Sequence, residues 1–480
     1  MKTLLLVIAV FSLVIPSLAQ LPSTNRPVRY RLVMDSTITE DCPACGRPTI
    51  VHPLRGTFDL QFDHYDPQFA HYRVTNINFF ADSKTSPSYM VTGAGTYRVG
   101  GPVALQQFIT LTTEVCNSVP SCRDVTFTNT DSVRLAFPLI EISITQTQFS
   151  LFSVYTMHLV AAPVREIWFV ITNGFTPTNG SLPVTAGDVL SDAGRTVRSD
   201  SALLETIGIF FPATSHRVDA FDVAPGGEMI FSLVHRLTNS MVGAAQEGDL
   251  LSSRGHIFRT NQQLTAAFGI QPPVPDVGLD AVRVKSNGEI LFSIRTNIFA
   301  ETKGVTLHRG DVLSSFGQIV KSNQQLLAKF HPANTNMDYG LDALYVWPNG
   351  EIWFSTETGF QDSQFGAVSD GDLLSTEGII VYRNAELVSE FAAPQSISNV
   401  GLSDVFVVTD VDVATAPRLL GPRRQQNNVV LEWIGTNRVF QLDSAASVTG
   451  PWSPLSLIDP STTFTNQGTN ARQFYRLEAW

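Results

Sequence analysis

Apolar and polar residues alternate over short stretches between about residues 21 and 150, the period of strands with one buried face. "TFDLQF" places Phe58, Leu60 and Phe62 on one side, "FITLTTEV" does so with Ile109, Leu111 and Val115, and "LIEISITQ" with Ile140, Ile142 and Ile144. Gly- and Pro-containing stretches such as "VTGAGTYRVGGP" separate them. That glycine run is not a nucleotide loop, because its spacing is not Gly-x-Gly-x-x-Gly and Tyr97 and Val99 read as strand. Residues 20–150 are therefore expected to form an antiparallel barrel or sandwich.

From about 151 to 410 the pattern repeats itself, and internal periodicity outranks local propensity. Gly-Asp-[Val/Leu]-Leu-Ser-x-x-Gly begins at Gly187, Gly248, Gly310 and Gly371, at separations of 61, 62 and 61 residues. A Glu followed by apolar residues recurs in step: "EIWFV" from Glu166, "EMIFS" from Glu228, "EILFS" from Glu289 and "EIWFS" from Glu351. Asp219, Asp280 and Asp342 each stand nine residues before such a Glu, and stretches ending at Phe268, Phe330 and Phe391 follow the octapeptides.

In the third unit "DAVRV" leads through "SNG" into "EILFSI", a tight hairpin because Asn-Gly accepts the positive φ angles of two-residue turns. After "GDVLSS", "QIVKSNQQLLAKF" reads as the outermost pair element with a bend at Asn323. Three to four antiparallel strands in about 62 residues is the size of a propeller blade, and helical periodicity is missing. The first unit has a degraded leading strand, "VYTMHLVAAPVR", while an orphan leading strand, "GLSDVFVV", follows the fourth unit with Ser403 in the Asp342 position and Asp404 in the Ala343 position. Strand exchange between the two ends of a ring would produce that asymmetry.

Asp-Ala at the start of successive units, followed by Gly-Glu-Ile-x-Phe, resembles the hemopexin-like four-bladed propeller over roughly residues 155–410, although these units are longer. The resemblance implies that the innermost strands line a channel where ions bind at the Asp-Ala step. Residue by residue this carries to Asp219, Ala220, Asp280, Ala281, Asp342 and Ala343, with calcium or another ion as the cofactor, whereas Ser403 and Asp404 depart from the pattern. "VATAPRLLGPRRQQ" then reads as a linker over 411–426, and 427–480, with Trp433, "FQLDSA", "GPW" and the closing "FYRL", resembles small fibronectin type III-like C-terminal modules of secreted bacterial proteins. The repeat region together with the N-terminal domain resembles long exported bacterial proteins, which implies location and architecture and names no activity.

The start of the chain, "MKTLLLVIAVFSLVIPSLAQ", has one Lys, an apolar run and small residues ahead of Gln20, the form of a signal peptide over 1–19. The alternative, a membrane anchor, needs about 20 apolar residues and the run holds fewer before Pro16. The expected location is secreted, extracellular or periplasmic, or at the cell surface, with no transmembrane segment once the signal is removed. A net charge of −11 and only 16% charged residues disfavour nucleic acid as a partner, since phosphate contact needs clustered Lys and Arg. Four cysteines, as "CPACG" (Cys42, Cys45) and "CNSVPSC" (Cys116, Cys122), point to disulfides in an exported chain, with a zinc site or a redox pair at Cys42 and Cys45 as alternatives.

The octapeptide carboxylates Asp188, Asp249, Asp311 and Asp372 are expected to accept backbone N–H groups and fix loop geometry. The functional alternative, calcium held with loop carbonyls, calls for six to eight oxygens. The repeated glutamates are read as caps of hairpin turns, spread around a ring and so unsuited to paired acid–base chemistry. There is no Gly-x-Ser-x-Gly or His-Glu-x-x-His, and the nine histidines do not recur in register. Trp168 and Trp353 are expected in the core. These readings describe a non-enzymatic binding or scaffold protein whose ligand is an extracellular protein or glycan. A secreted hydrolase acting on polysaccharide or ester and a calcium-dependent adhesion module are the alternatives.

Overall fold

The computed structural model describes residues 26–33, 35–81, 88–101, 106–117, 121–129, 137–210, 216–394, 399–412, 416–426, 428–467 and 473–480. The expected signal peptide lies outside them. The fold is all-β, with helices of at most seven residues. Among the described residues no helix is long and apolar enough to cross a membrane. The chain divides into two compact units, one up to Pro163 and one from Val164 to Trp480.

In the first unit, Val28–Leu32 pairs with Arg55–Tyr65, which pairs with Phe69–Ala81, and so on through Tyr89–Gly100, Gln106–Asn117, Ser121–Thr128 and Ile140–Gln146, every pair antiparallel. Residues 154–163 of the strand Val154–Val170 pair with Ile140–Gln146 on one edge and, on the other, first with Thr37–Asp41 and then with Val28–Leu32. The hydrogen-bonded path thus returns to its first strand. The alternating apolar positions face inward as their period requires: Phe58, Leu60, Ile109, Leu111, Val115, Ile140, Ile142 and Ile144 all belong to one buried cluster. Cys42 is bonded to Cys45 and Cys116 to Cys122, so no cysteine is a thiolate ligand for zinc.

Among the described residues the repeat region of the second unit forms four four-stranded antiparallel sheets, three of them each formed by one repeat. The second sheet runs Val218–Ala224, Glu228–Leu233, Leu250–Ser252, His256–Arg259. The third runs Val282–Val284, Ile290–Phe292, Val312–Ser314, Gln318–Lys321, and the fourth Ala343–Val346, Ile352–Ser355, Leu373–Ser375, Ile379–Tyr382. The first is assembled from both ends of the repeat: Asp404–Thr409 pairs with residues 164–170, which pair with Val189–Ser191 and then Arg195–Arg198. The stretch expected as a degraded leading strand, residues 154–163, instead completes the first unit, and the orphan strand takes its place. The leading strands neighbour one another in a cycle, with Val218–Ala224 beside Val282–Val284 and Asp404–Thr409, and Ala343–Val346 beside the same two.

The octapeptide is one repeated piece of hydrogen-bonding geometry. Each Asp accepts one N–H from three residues upstream and one from the start of the short helix that follows. Asp311 takes His308 N at 3.0 Å and Asn323 N at 3.3 Å. Asp188 takes Thr185 and Asp200, Asp249 takes Gln246 and Asn261, and Asp372 takes Ser369 and Asn384. Each Ser donates to the repeated Glu of its own sheet: Ser191 to Glu166, Ser252 to Glu228, Ser314 to Glu289 and Ser375 to Glu351. These glutamates therefore tie the second strand to the third rather than capping hairpins. Glu166 and Glu351 also accept the indole N–H of the fully buried Trp168 and Trp353. The closing Gly sits at positive φ, 82° at Gly317, where a Cβ would meet the Ala267 carbonyl oxygen at 2.4 Å.

"QIVKSNQQLLAKF" is not one strand pair. Strand geometry stops at Lys321, and Ser322 and Gln325 form a capping box that starts the helix Asn323–Leu326. The buried Asn323 accepts Tyr339 N through Oδ1 and donates from Nδ2 to Gly340 O, so each octapeptide Asp is linked through this helix to the entry of the next sheet. Asn261 and Asn384 repeat the link to Val277 and Val400, and Asp200 makes it to Val218 in the first repeat.

Candidate functional site

The four leading strands bring their equivalent positions together, and one residue dominates the meeting point. Ala220, Ala281 and Ala343 are fully buried. The fourth equivalent is Asp404, also fully buried. Its Oδ2 accepts Phe221 N at 2.8 Å and Val282 N at 2.9 Å, and its Oδ1 accepts Leu344 N at 3.1 Å and Val405 N at 2.8 Å. Each of the four strands gives one backbone N–H to the same carboxyl group. Three methyl-sized neighbours leave the room, and four converging donors supply the field that an anion would otherwise require. Burial pushes the Asp404 pKa up, and the four N–H groups work against that shift.

One residue earlier in each strand stand Asp219, Asp280, Asp342 and Ser403. Asp219 and Asp280 are buried, and both are held by Arg295, which reaches Asp280 at 3.2 Å and Glu247 at 3.3 Å and donates to Val234 O at 2.8 Å. The Glu357 carboxyl, when protonated, donates to Asp280. Among the described residues no donor bonds the half-buried Asp342 carboxylate. Glu357 joins this acidic group and is held by Arg309 at 2.7 Å. Burial, reinforced by mutual repulsion, raises the whole set. Asp219 rises to about 7 and Glu357 to about 8, and Asp280 and Asp342 also rise, Asp342 chiefly through burial and then through Asp280 and Asp219. Burial and repulsion thus favour the protonated forms of these carboxyls.

Two residues further along, Asp222, Arg283, Tyr345 and Phe406 are equivalent. Arg283 bonds Asp222 at 2.9 Å, and its guanidinium lies 4.3 Å from the Tyr345 ring centre and 5.6 Å from that of Phe406. Arg438, from the C-terminal part of the unit, closes this end by bonding Asp222 at 3.3 Å and donating to Val223 O and Val284 O.

The structure thus brings Asp219, Asp280 and Asp342 to one place and stacks Ala220, Ala281 and Ala343 beneath them, while Asp188, Asp249, Asp311 and Asp372 are dispersed, one per sheet. Sequence reasoning placed Asp404 in the Ala343 position only as a departure from the pattern, and passed over Arg283, Arg295, Glu357 and Arg438. The available signal was a charged residue in a slot that three sister strands fill with Ala, and an Arg inside the apolar run "DAVRV", because a charge in a buried strand must find partners.

No protein-family model matches the chain, and neither does any curated protein. Among solved structures, the chain is similar to PorZ, described as an essential bacterial surface component of the type-IX secretion system of Porphyromonas gingivalis. The identity is 10%, covering 88% of this chain and 76% of that one, with a TM-score of 0.18. It is also similar to the extracellular domain of a putative hybrid two-component system from B. thetaiotaomicron, at 7% identity over 92% of this chain and 95% of that one, with a TM-score of 0.19. Similarity at this level identifies no common fold.

Proposed function

We propose that this is a secreted or cell-surface binding and scaffold protein of bacterial type, built on a hemopexin-like four-bladed propeller with a first β-domain ahead of it and a fibronectin type III-like module behind. The cycle of leading strands and the first sheet's pairing of both repeat ends support the propeller. Two disulfides support export, because such bonds persist in oxidising compartments. The observation that carries the non-enzymatic reading is Asp404. Where a ring of this kind has its channel, the chain's own carboxyl uses four backbone donors, and Arg283 and Arg438 fill the next layer. Polar groups that elsewhere meet a ligand are spent on holding the ring together, which leaves binding to the outer surface.

The test is a panel of chromogenic glycosides and esters with the full exported chain, alongside melting with calcium and with chelator. No turnover and an unmoved Tm are expected. Turnover abolished by Asp342→Asn would replace this reading with a hydrolase. A calcium-dependent rise in Tm would favour the second reading, a cation held by Asp219, Asp280 and Asp342, which is supported by the Asp342 carboxylate, to which no donor bonds among the described residues.

A further inference from the structure

The repeat lets one part of the chain show what an equivalent part is shaped to hold. Between the first and second sheets, Arg198, Leu203, Gly227 and Met229 meet the loop Ile458–Asp459–Pro460. The Arg198 guanidinium stands 3.7 Å from the Asp459 carboxylate, and Arg195 donates to Ile458 O at 2.7 Å. The Pro460 carbonyl lies against Gly227 where a Cβ would be, and Ile458 joins the buried cluster that contains Leu203 and Met229. Sixty-one residues on, the same positions are Arg259, Leu264, Gly288 and Ile290, and between the second and third sheets they line a cavity of about 320 Å³.

Nothing in the described chain enters that cavity as the 458–460 loop enters its counterpart. Open space surrounds Gly288, where Gly227 has Pro460. Arg259 donates to Phe258 O, its neighbour's carbonyl, and among the described residues it has no carboxylate partner. Phe316 stands at the rim with 59% of its surface exposed. Between the third and fourth sheets the corresponding rim positions are Lys329 and Glu377, which bond each other at 2.8 Å, whereas here they are Ala267 and Phe316. Of these three inter-sheet grooves, one is filled by the chain, one carries an ion pair across its rim, and one has the exposed Phe316 at its rim and, among the described residues, no carboxylate beside Arg259.

We propose that the open groove binds an extended segment of a partner polypeptide carrying an aliphatic residue followed by Asp-Pro. The aliphatic side chain would rest on the exposed Phe316, the Asp would pair with Arg259, and the Pro would pass over Gly288, where the missing side chain gives clearance. Burying one aliphatic side chain and pairing one exposed charge describes a weak, specific anchor rather than a large interface.

The probe is a fluorescein-labelled peptide of sequence SLIDPST, titrated up to about 1 mM against the full chain and followed by anisotropy. Saturable binding is expected, weakened at least about tenfold by R259Q, by F316A and by Asn in place of the peptide's Asp, and restored when R259E meets a peptide with Lys there. R198Q, which alters the filled groove, should leave the affinity within about twofold, and R259Q should keep the parent Tm because Arg259 is exposed. Absence of saturable binding, or binding indifferent to R259Q, overturns the proposal. So does Arg259-dependent self-association in sedimentation, which would make a second copy the occupant, or Arg259-dependent signals on a glycan array with no peptide binding. The inference extends the binding reading to a stated surface. Its failure would leave that reading standing, since the turnover and chelator assays report on other parts of the chain.

Discussion

Replacing Asp404 by Asn isolates what holds the four leading strands together, because the side chains have the same shape and differ in hydrogen-bonding pattern. Both oxygens of Asp404 accept two backbone N–H groups each. Asn keeps one acceptor oxygen and turns a donor towards the other pair, so two buried amides lose their partner. A buried donor left unpaired costs about 1–3 kcal/mol, which sets a gross loss of roughly 2–6 kcal/mol. Relief of a desolvated carboxyl offsets part of it, so the net should fall near 2–4 kcal/mol. Against a domain stability of about 5–15 kcal/mol that is a large fraction. All six tryptophans lie beyond residue 163, so tryptophan fluorescence during urea unfolding reports the second unit alone. With an m-value of about 3 kcal/mol/M, the midpoint of Asp404→Asn should fall by about 1 M. A midpoint within about 0.2 M of the parent, at unchanged m, would refute the claim that these four bonds hold the leading strands together.

The acidic cluster gives a pH dependence of definite sign. With Asp219 raised to about 7 and Glu357 to about 8, these groups bind more protons in the folded chain than in the unfolded one between about pH 4 and 8, so their contribution to stability should fall as pH rises through that window. Thermal melts across that range check it, and a stability that rises with pH there contradicts it. Asp342→Asn removes one of the mutually repelling carboxylates and should raise Tm at pH 8 while changing little at pH 5. Asp311→Ala leaves His308 N and Asn323 N without their acceptor and should cost roughly 2–4 kcal/mol by urea unfolding, with Asp311→Asn costing less. Opening the Cys116–Cys122 loop by a double Ser substitution should cost about 2 kcal/mol, read by far-UV circular dichroism in urea, since the first unit has no tryptophan.

Strand periodicity and a 61- to 62-residue repeat were enough to give the all-β class, the inward faces around Phe58, Ile109 and Ile142, and the marks shared by the four sheets, because each depends on local spacing and recurs in register. The pairing of Asp404–Thr409 with the first sheet was legible for the same reason: an unmatched strand at one end of a repeat needs an unmatched strand at the other. Helix Asn323–Leu326 was misread as strand because four residues carry too little periodicity to outweigh "QIV" before them, and only the Ser322–Gln325 capping box signals the change.

What the sequence could not decide is where charges finish. Asp404 is 183 residues from Phe221, yet its oxygens take amides from four strands, and Arg438 reaches Asp222 from 216 residues away. Those meetings depend on which leading strands neighbour one another, which no local pattern encodes. The octapeptide by itself determined a fold-wide repeat. Only the tertiary structure made one groove filled, one bridged and one open, because that outcome depends on which distant segment returns to each.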